Sequence, residues 1–405
     1  MLLSLRLPCL AICAFSLLAG PSTSLQAEDL RSPRFLEKAR VGFDQIFDLD
    51  YDEAFTTFEI LATEYPEHPG PPLYMATTIW LQELFQRQDL ELDKFISPSY
   101  FDQASGQSMA IAEKTRFHEL INSSQQLCEA LLETSPGDKD ARYFLGALHG
   151  ILGSFAITID HSRTRAFQHG KKAYRYHIAL IEEDPDYYDA YMTVGIYEYV
   201  VGRLPWYLKF VAALVGYKGS KKRGFEYLSL AVDHGQFVSD NARTVQLVLL
   251  VREKRYEDAL SSLHYLKSNF LKNFVAHLNE ARLLESLGRH TEAAHLYQQD
   301  LGKAEDGQPN FDRIPLATFR YAAGQRLLKL GNVESALEQF RKSLGDSETP
   351  KRERTLSLLA SGNSLDLLDR RSEAVEYYQS VLKQPNRDRS HKQARKYLKK
   401  PFSRR

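Results

Sequence analysis

Disulfide chemistry is almost absent from this sequence. Its 405 residues include three cysteines, and two of them, Cys9 and Cys13, lie in the apolar N-terminal stretch. The remaining one, Cys128, cannot form an internal disulfide, and we expect no disulfide-linked partner. Because Cys128 stands among leucines at helical spacing, we predict a small buried residue of a helix and not a reactive thiol.

A net charge of either sign is also absent. The chain has 52 basic and 52 acidic residues. General nucleic-acid binders carry a basic excess, so we expect no nucleic acid among the partners. Acidic residues are concentrated between positions 44 and 67, where we predict turns and outer helix faces in solvent. These residues are Asp44, Asp48, Asp50, Asp52, Glu53, Glu59, Glu64 and Glu67.

Motifs for catalysis and metal binding are missing as well. The sequence has no Walker-type loop, dinucleotide fingerprint, nucleophile elbow or His-Glu-x-x-His. Four histidines, His149, His161, His169 and His177, are spread over a stretch too long to converge on one ion. We therefore predict that the protein is not an enzyme and holds no cofactor and no metal.

The apolar runs are short. Residues 7–19 follow Arg6 and precede a polar stretch that ends at Ala27. This run is shorter than the roughly 20 residues that span a bilayer. The pattern is typical of a signal peptide over residues 1–27, and an uncleaved anchor is the alternative. An exported chain without disulfides is typical of bacteria, so we expect the protein to be periplasmic or secreted, with the bacterial envelope as the favoured location.

A repeated pattern fills the rest of the chain. In each unit an alanine follows an acidic residue, and a bulky side chain stands four positions later. The pairs are Ala54 and Phe58, Ala259 and Leu263, Ala293 and Tyr297, Ala336 and Phe340, and Ala374 and Tyr378. Small residues twelve positions before the alanine, such as Gly42, Gly324 and Gly362, predict close crossings of two antiparallel helices at the alanines, with the bulky residue filling the gap beside each crossing.

These residues resemble the tetratricopeptide repeat family, whose period of 34 residues separates Ala259 from Ala293. The resemblance covers residues 244–384 strongly and 35–68 moderately. It implies an all-α fold, an α-solenoid of stacked antiparallel helix pairs in a right-handed superhelix. We predict eight pairs and a closing basic helix. Gly288 and Gly331 suit helix C-caps, and Asp50, Thr291 and Ser372 suit helix starts.

The repeat pattern divides the chain into four parts. After the signal peptide of residues 1–27, residues 28–235 form divergent repeats with insertions and residues 236–387 form regular repeats. Residues 388–405 form the basic capping helix and tail.

Residues 200–235 resemble the tetratricopeptide-repeat-39 family. The matching positions are Gly202, Leu204, Pro205, Gly216, Gly219, Arg223 and Gly224. This resemblance implies an interaction protein and carries no reaction chemistry, and that family has no export signal.

The tetratricopeptide resemblance implies a scaffold that binds a protein or peptide segment in the concave groove, which the first helices of the pairs line. By analogy the groove residues are Arg252, Arg282, Tyr321, Gln325 and Asn363. Tyrosine and arginine are frequent binding hot spots, since they combine large contact area with polar groups.

Two alternatives stay open. The apolar insertion 204–215 could make a peripheral membrane contact through Trp206, Tyr207 and Lys209, in a membrane-assembly or lipid-handling factor. An unrecognised enzyme site could lie in the stretched repeats between Asp89 and Gly235.

Overall fold

The computed structural model describes residues 30–92, 108–204, 219–345 and 349–403, and the signal-peptide prediction for residues 1–27 lies outside these ranges. The described residues form α-helices and a 3-10 turn at Phe311–Arg313, without strands. The helices are α1 (Pro33–Phe47), α2 (Tyr51–Glu64), α3 (Gly70–Gln86), α4 (Ile111–Thr134), α5 (Lys139–Thr158), α6 (Arg163–Glu183), α7 (Ala190–Gly202), α8 (Lys221–His234), α9 (Ser239–Arg252), α10 (Tyr256–Asn269), α11 (Phe274–Ser286), α12 (His290–Glu305), α13 (Leu316–Leu330), α14 (Val333–Gly345), α15 (Lys351–Leu367), α16 (Arg371–Leu382) and α17 (Ser390–Lys399).

The helices stack in chain order. Each helix packs against the helix before it and the helix after it, and first helices of neighbouring pairs also touch, as α3 does α5 and α13 does α15. This succession is an α-solenoid of eight tetratricopeptide-type pairs followed by a closing helix within the described ranges, which confirms the predicted fold. Among the same residues, no helix has the length and apolar content needed to cross a membrane.

A glycine under a large side chain fixes the crossing within several pairs. A Cβ atom placed on Gly42 would lie 2.4 Å from the ring of Phe58, and one on Gly324 would lie 2.5 Å from the ring of Phe340. We predicted that the small residue would face the alanine of the second helix. The nearest atoms belong instead to the ring four positions later, because the ring needs the space that a missing side chain leaves.

The predicted helix ends are confirmed at the glycines. Gly331 has a φ of +95° at the end of α13, and Gly288 has a φ of +77° after α11. Asp50 is the N-cap of α2, as predicted, although its side chain makes no capping hydrogen bond. Glycine suits the C-terminal ends of α11 and α13 because it adopts a left-handed backbone without a side-chain penalty.

The predicted helix starts at Thr291 and Ser372 are wrong. The N-cap of α12 is Arg289 and that of α16 is Arg370, so each cap lies two residues before the predicted one. In α12, the preceding Arg289 donates from Nε to Glu292 three residues on, at 2.6 Å. Arg370 and Glu373 form the equivalent pair before α16. An ion pair across the first turn thus takes the place of the short polar cap that the sequence pattern suggested.

Cys128 is completely buried in α4, which confirms the predicted structural role. Burial raises the pKa of its thiol to about 12. The thiol is therefore neutral at physiological pH, and the residue packs as a small apolar side chain.

Two histidines are buried in the neutral form. His177 lies against Gly146, and its Nε2 is 3.0 Å from the carbonyl oxygen of Tyr143. His68 contacts the carbonyl oxygen of Leu30 through Nε2, at 2.8 Å. Burial lowers the pKa of each ring to about 4. The fold therefore excludes their protonated forms over the mildly acidic range.

We expect stability to fall as the pH decreases from about 6.5, the ordinary histidine pKa, to about 4. In this window the unfolded chain binds the proton and the folded chain does not, so each histidine removes about 1.4 kcal/mol per pH unit. Urea unfolding of His177→Leu between pH 4.5 and 7.5 should show a slope smaller by that amount. The exposed His295→Leu variant should follow the wild type. Parallel pH profiles for all three proteins would contradict the assignment.

Candidate binding surfaces

The N-terminal unit, residues 30–92, lies against the turns between later helix pairs. At the α1–α2 turn, Asn310 Nδ2 donates to the carbonyl oxygen of Asp48 at 2.6 Å and to Asp50 Oδ1 at 2.7 Å. Lys272 Nζ lies 2.6 Å from Asp50 Oδ2, and Arg313 Nη1 donates to the carbonyl oxygen of Leu49 at 2.8 Å. The turn is thus bound on both sides by segments that precede α11 and α13.

These contacts correct the prediction for the acidic stretch. Asp48 and Asp50 are only partly exposed and are used to bind the later turns. The other six acidic residues of the stretch are exposed, as predicted. The error arose because Lys272, which binds Asp48 through its backbone N–H and Asp50 through its ammonium group, is more than 200 residues away in sequence.

Aromatic side chains extend the same interface. Each pair joins a residue of the N-terminal unit to the start of a later first helix or to the turn before it. The pairs, with ring-centroid distances, are His68 and Phe144 (5.2 Å), Phe35 and Phe237 (6.4 Å), Phe47 and Phe270 (4.7 Å), and Phe85 and Phe274 (5.8 Å). These pairs bring the unit into contact with the starts of three first helices, α5, α9 and α11.

Arg31 provides the charged contact at one end of this interface. Its guanidinium pairs with the fully buried carboxylate of Asp189, and its Cζ lies 4.5 Å from the ring centroid of Tyr187. Asp189 Oδ1 also accepts from the backbone N–H groups of Phe237 at 2.9 Å and Val238 at 3.2 Å. Burial opposes the charge of Arg31, but attraction to Asp189 and its other neighbours raises its pKa above the ordinary value.

The N-terminal unit also covers part of the predicted groove. Arg282, one of the predicted groove residues, donates from Nη1 to Glu91 Oε2 at 2.8 Å. Next to it, Asn279 Oδ1 accepts from the backbone N–H of Leu92 at 3.0 Å. The side of α11 that carries Arg282 and Asn279 is therefore in contact with the segment at Glu91 and Leu92.

The other predicted groove residues lie in different surroundings. Arg252 is partly buried at the end of α9, where burial and the nearby Arg203 lower its pKa. Tyr321 packs its ring 6.0 Å from that of Phe340, and burial raises its pKa. Asn363 Oδ1 lies 3.0 Å from the hydroxyl of Tyr378. Tyr321 and Gln325 lie one turn apart on α13.

Gln325 lines an open cleft of about 470 Å³, which we call the inner cleft. Its lining comes from α11, α12, α13 and the C-terminal tail, and consists of Glu285, His290, Gln325, Arg326, Leu328, Lys329 and Phe402. Arg326 forms a two-point ion pair with Glu285, and Lys329 Nζ donates to His290 Nε2 at 2.8 Å. The cleft thus combines an apolar side with charged groups that are already oriented.

The C-terminal tail enters this cleft in an extended conformation. The backbone N–H of Phe402 donates to Asp366 Oδ2 at 2.7 Å. The same carboxylate is buried, and it accepts from Arg371 Nη1 at 3.0 Å and lies 2.8 Å from the hydroxyl of Tyr378. Sequence reasoning missed Asp366 and Phe402. The one available signal was the Pro-Phe pair after the closing helix, because proline ends a helix and favours extended chain.

The predicted membrane contact of the apolar insertion stays a prediction. Trp206, Tyr207 and Lys209 lie outside the described residues. Within the described part of the chain, no group of three or more possible metal ligands occurs. A second cavity, of about 350 Å³, includes Glu113 and Arg116, but Arg116 stacks on Phe55 at 4.1 Å and pairs with Glu59 at 3.5 Å.

Neither a family model nor a curated protein sequence matches this chain. Its resemblance to the tetratricopeptide-repeat-39 family therefore stays a prediction. Among solved structures it is similar to yeast Tom70, with 10% identity, a TM-score of 0.34, and coverage of 90% of this chain and 88% of that chain. A tetratricopeptide repeat protein from Parabacteroides merdae gives 14% identity, a TM-score of 0.30 and coverage of 80% and 98%. The human IFIT1 dimer with m7Gppp-AAAA gives 14% identity, a TM-score of 0.29, and coverage of 86% of this chain and 94% of that chain. At such low scores these similarities carry no inference about ligands.

Proposed function

We propose that this chain is a scaffold that binds an extended peptide segment of a partner protein in the inner cleft. The observation that carries the proposal is the seating of Phe402, whose backbone is held by the buried Asp366 while its side chain lines the cleft. A fixed carboxylate acceptor for a backbone N–H suits an extended ligand, since an extended chain leaves that group free to donate.

The chemistry of the cleft restricts the ligand. In the same lining as the ring of Phe402, Leu328 offers an apolar contact and Gln325 offers an amide group. Glu285 is neutralised by Arg326, so the cleft has no strong preference for a basic segment. We infer that the partner segment presents an aromatic anchor, with the tail residues occupying the same position in the free protein. Because the tail is tethered to the cleft, its effective concentration there is about millimolar. An external peptide must therefore compete with the tail for the cleft.

The test uses a fluorescent peptide of the tail sequence KKPFSRR and fluorescence anisotropy. The full-length Phe402→Ala variant should bind the peptide, because its own anchor is gone. The wild type should bind at least about tenfold more weakly, since loss of an aromatic hot spot weakens binding by about 2 kcal/mol or more. The peptide KKPASRR should not bind.

A matched pair of variants locates the site. In the Phe402→Ala background, Leu328→Glu places a charge in the cleft and should abolish peptide binding. Leu330→Glu makes the same change two residues later, at an exposed position on the same helix, and should leave binding unchanged. Equal affinities of the two variants would exclude the inner cleft as the peptide site.

A further inference from the structure

The outer surface of α6 has a strong local positive charge. Between positions 163 and 181 the sequence has five basic residues and no acidic residue, in a chain whose charges balance overall. The basic residues are Arg163, Arg165, Lys171, Lys172 and Arg175. A run of one sign on a single helix creates a positive field next to that surface, which attracts anions over about a Debye length.

The structure places these charges on the outside. Arg165, Lys172 and Arg175 are exposed, whereas Ala173 and His177 pack on the opposite side of the helix. One of the cations, Arg165, lies 3.1 Å from Asp160 Oδ2 in the turn before α6. The side of α6 that faces solvent is therefore basic along most of its length.

Exposed apolar side chains lie at one end of the same surface. Phe167 is 53% exposed and Val200, on α7, is 54% exposed. The rings of Tyr174 and Tyr197 stack at 4.0 Å and set the register between the two antiparallel helices. Phe167 precedes Tyr174 by about two helical turns, and Leu204 follows Tyr197 by about as many, so both lie at the same end.

We propose that the outward face of α6, consisting of Arg165, Phe167, Lys172, Arg175 and the adjacent Val200, binds the surface of an anionic lipid bilayer. Basic residues flanked by exposed apolar ones are the composition by which a surface enters the headgroup region, since the charges contact the lipid phosphates and the apolar groups enter the acyl boundary. A nucleic acid would use the charges but gains nothing from an aliphatic side chain such as Val200. The proposal is independent of peptide binding in the inner cleft, which lies in α11–α13 and the tail.

The test is co-sedimentation of the purified full chain with vesicles. One set contains equal parts of phosphatidylglycerol and phosphatidylcholine, and the other contains phosphatidylcholine alone. The protein should bind the anionic set, and raising the salt concentration should weaken binding, because the attraction is screened. Equal sedimentation with both sets, or none with either, would overturn the proposal.

Variants then assign the contact to α6. Each basic residue near an anionic surface contributes about a fivefold change in partitioning, so K172Q/R175Q should lower the partition coefficient about 25-fold. Phe167→Ser should lower the partition coefficient about tenfold, because the variant no longer inserts an aromatic group into the acyl boundary. The control K392Q/R395Q makes the same charge change at exposed positions of α17 and should match the wild type.

Two outcomes would move the contact elsewhere. A loss of binding in K392Q/R395Q with K172Q/R175Q unaffected would assign lipid binding to the closing helix and overturn the proposal. Binding of a single-stranded oligonucleotide that K172Q/R175Q abolishes, in the absence of vesicle binding, would identify the face as a nucleic-acid surface. Circular dichroism of each variant checks that the helices are intact.

Discussion

Replacing Arg31 by methionine is expected to lower the free energy of unfolding by about 3–5 kcal/mol. The substitution leaves the carboxylate of Asp189 buried, with the backbone N–H groups of Phe237 and Val238 as its remaining donors in the contacts described above. An unpaired buried charge is costly because it loses both its water and its counter-ion. The methionine keeps most of the apolar contact with the ring of Tyr187, so the lost charge dominates the effect.

Urea unfolding followed by circular dichroism measures this loss. Lys38→Met is the control, because Lys38 and Glu64 form an ion pair whose side chains are 37% and 38% exposed. Such a pair contributes about 1 kcal/mol or less. Amide hydrogen exchange at Phe237 and Val238 should also become faster in Arg31→Met alone. If the two variants lose equal stability, Arg31 does not hold the N-terminal unit in place.

The second large effect is expected at the crossing of α13 and α14. Phe340 is completely buried, and Phe340→Ala should cost about 3–5 kcal/mol because it leaves a cavity over Gly324. Gly324→Ala alone should also destabilise, by about 1–3 kcal/mol, since its new Cβ would meet the ring. In the Phe340→Ala background the ring is absent. There, Gly324→Ala should stabilise by up to about 1 kcal/mol through helix propensity.

This change of sign is measured by a double-mutant cycle in urea. Gly302→Ala is the matched control, because a Cβ on Gly302 of α12 has no atom within 4 Å. The control should stabilise the wild type and the Phe340→Ala variant by the same amount. A Gly324→Ala effect that does not depend on Phe340 would contradict the packing described for these helix pairs.

The contrast between these two sites explains what the sequence could reveal. Gly324 and Phe340 are 16 positions apart and belong to a spacing that recurs at Gly42 and Gly362, so a repeat pattern predicts that their helices cross closely here. Arg31 and Asp189 are 158 residues apart and have no repeat to mark them. The position of the N-terminal unit depends on such single contacts, and no local pattern encodes them.

The surroundings of the predicted groove residues could not be read from the sequence for the same reason. Analogy selects inner positions on first helices, and one of these residues, Gln325, lines the inner cleft. Analogy cannot reveal the contact of Glu91 with Arg282, because the two residues are 191 positions apart in sequence. The tail contact of Phe402 with Asp366 was not predicted either, since neither residue belongs to the repeat pattern.

The docking of the N-terminal unit has a consequence for how the chain folds. Asn310 and Asp48 are 262 residues apart, so the first helices to be synthesised cannot complete their contacts until most of the chain exists. An open repeat array can grow pair by pair from any point, with largely local contacts. Here the contacts of the N-terminal unit close loops of more than 200 residues, and such non-local contacts slow folding. We therefore expect residues 30–313 to unfold in one cooperative step, without fraying of the N-terminal helices.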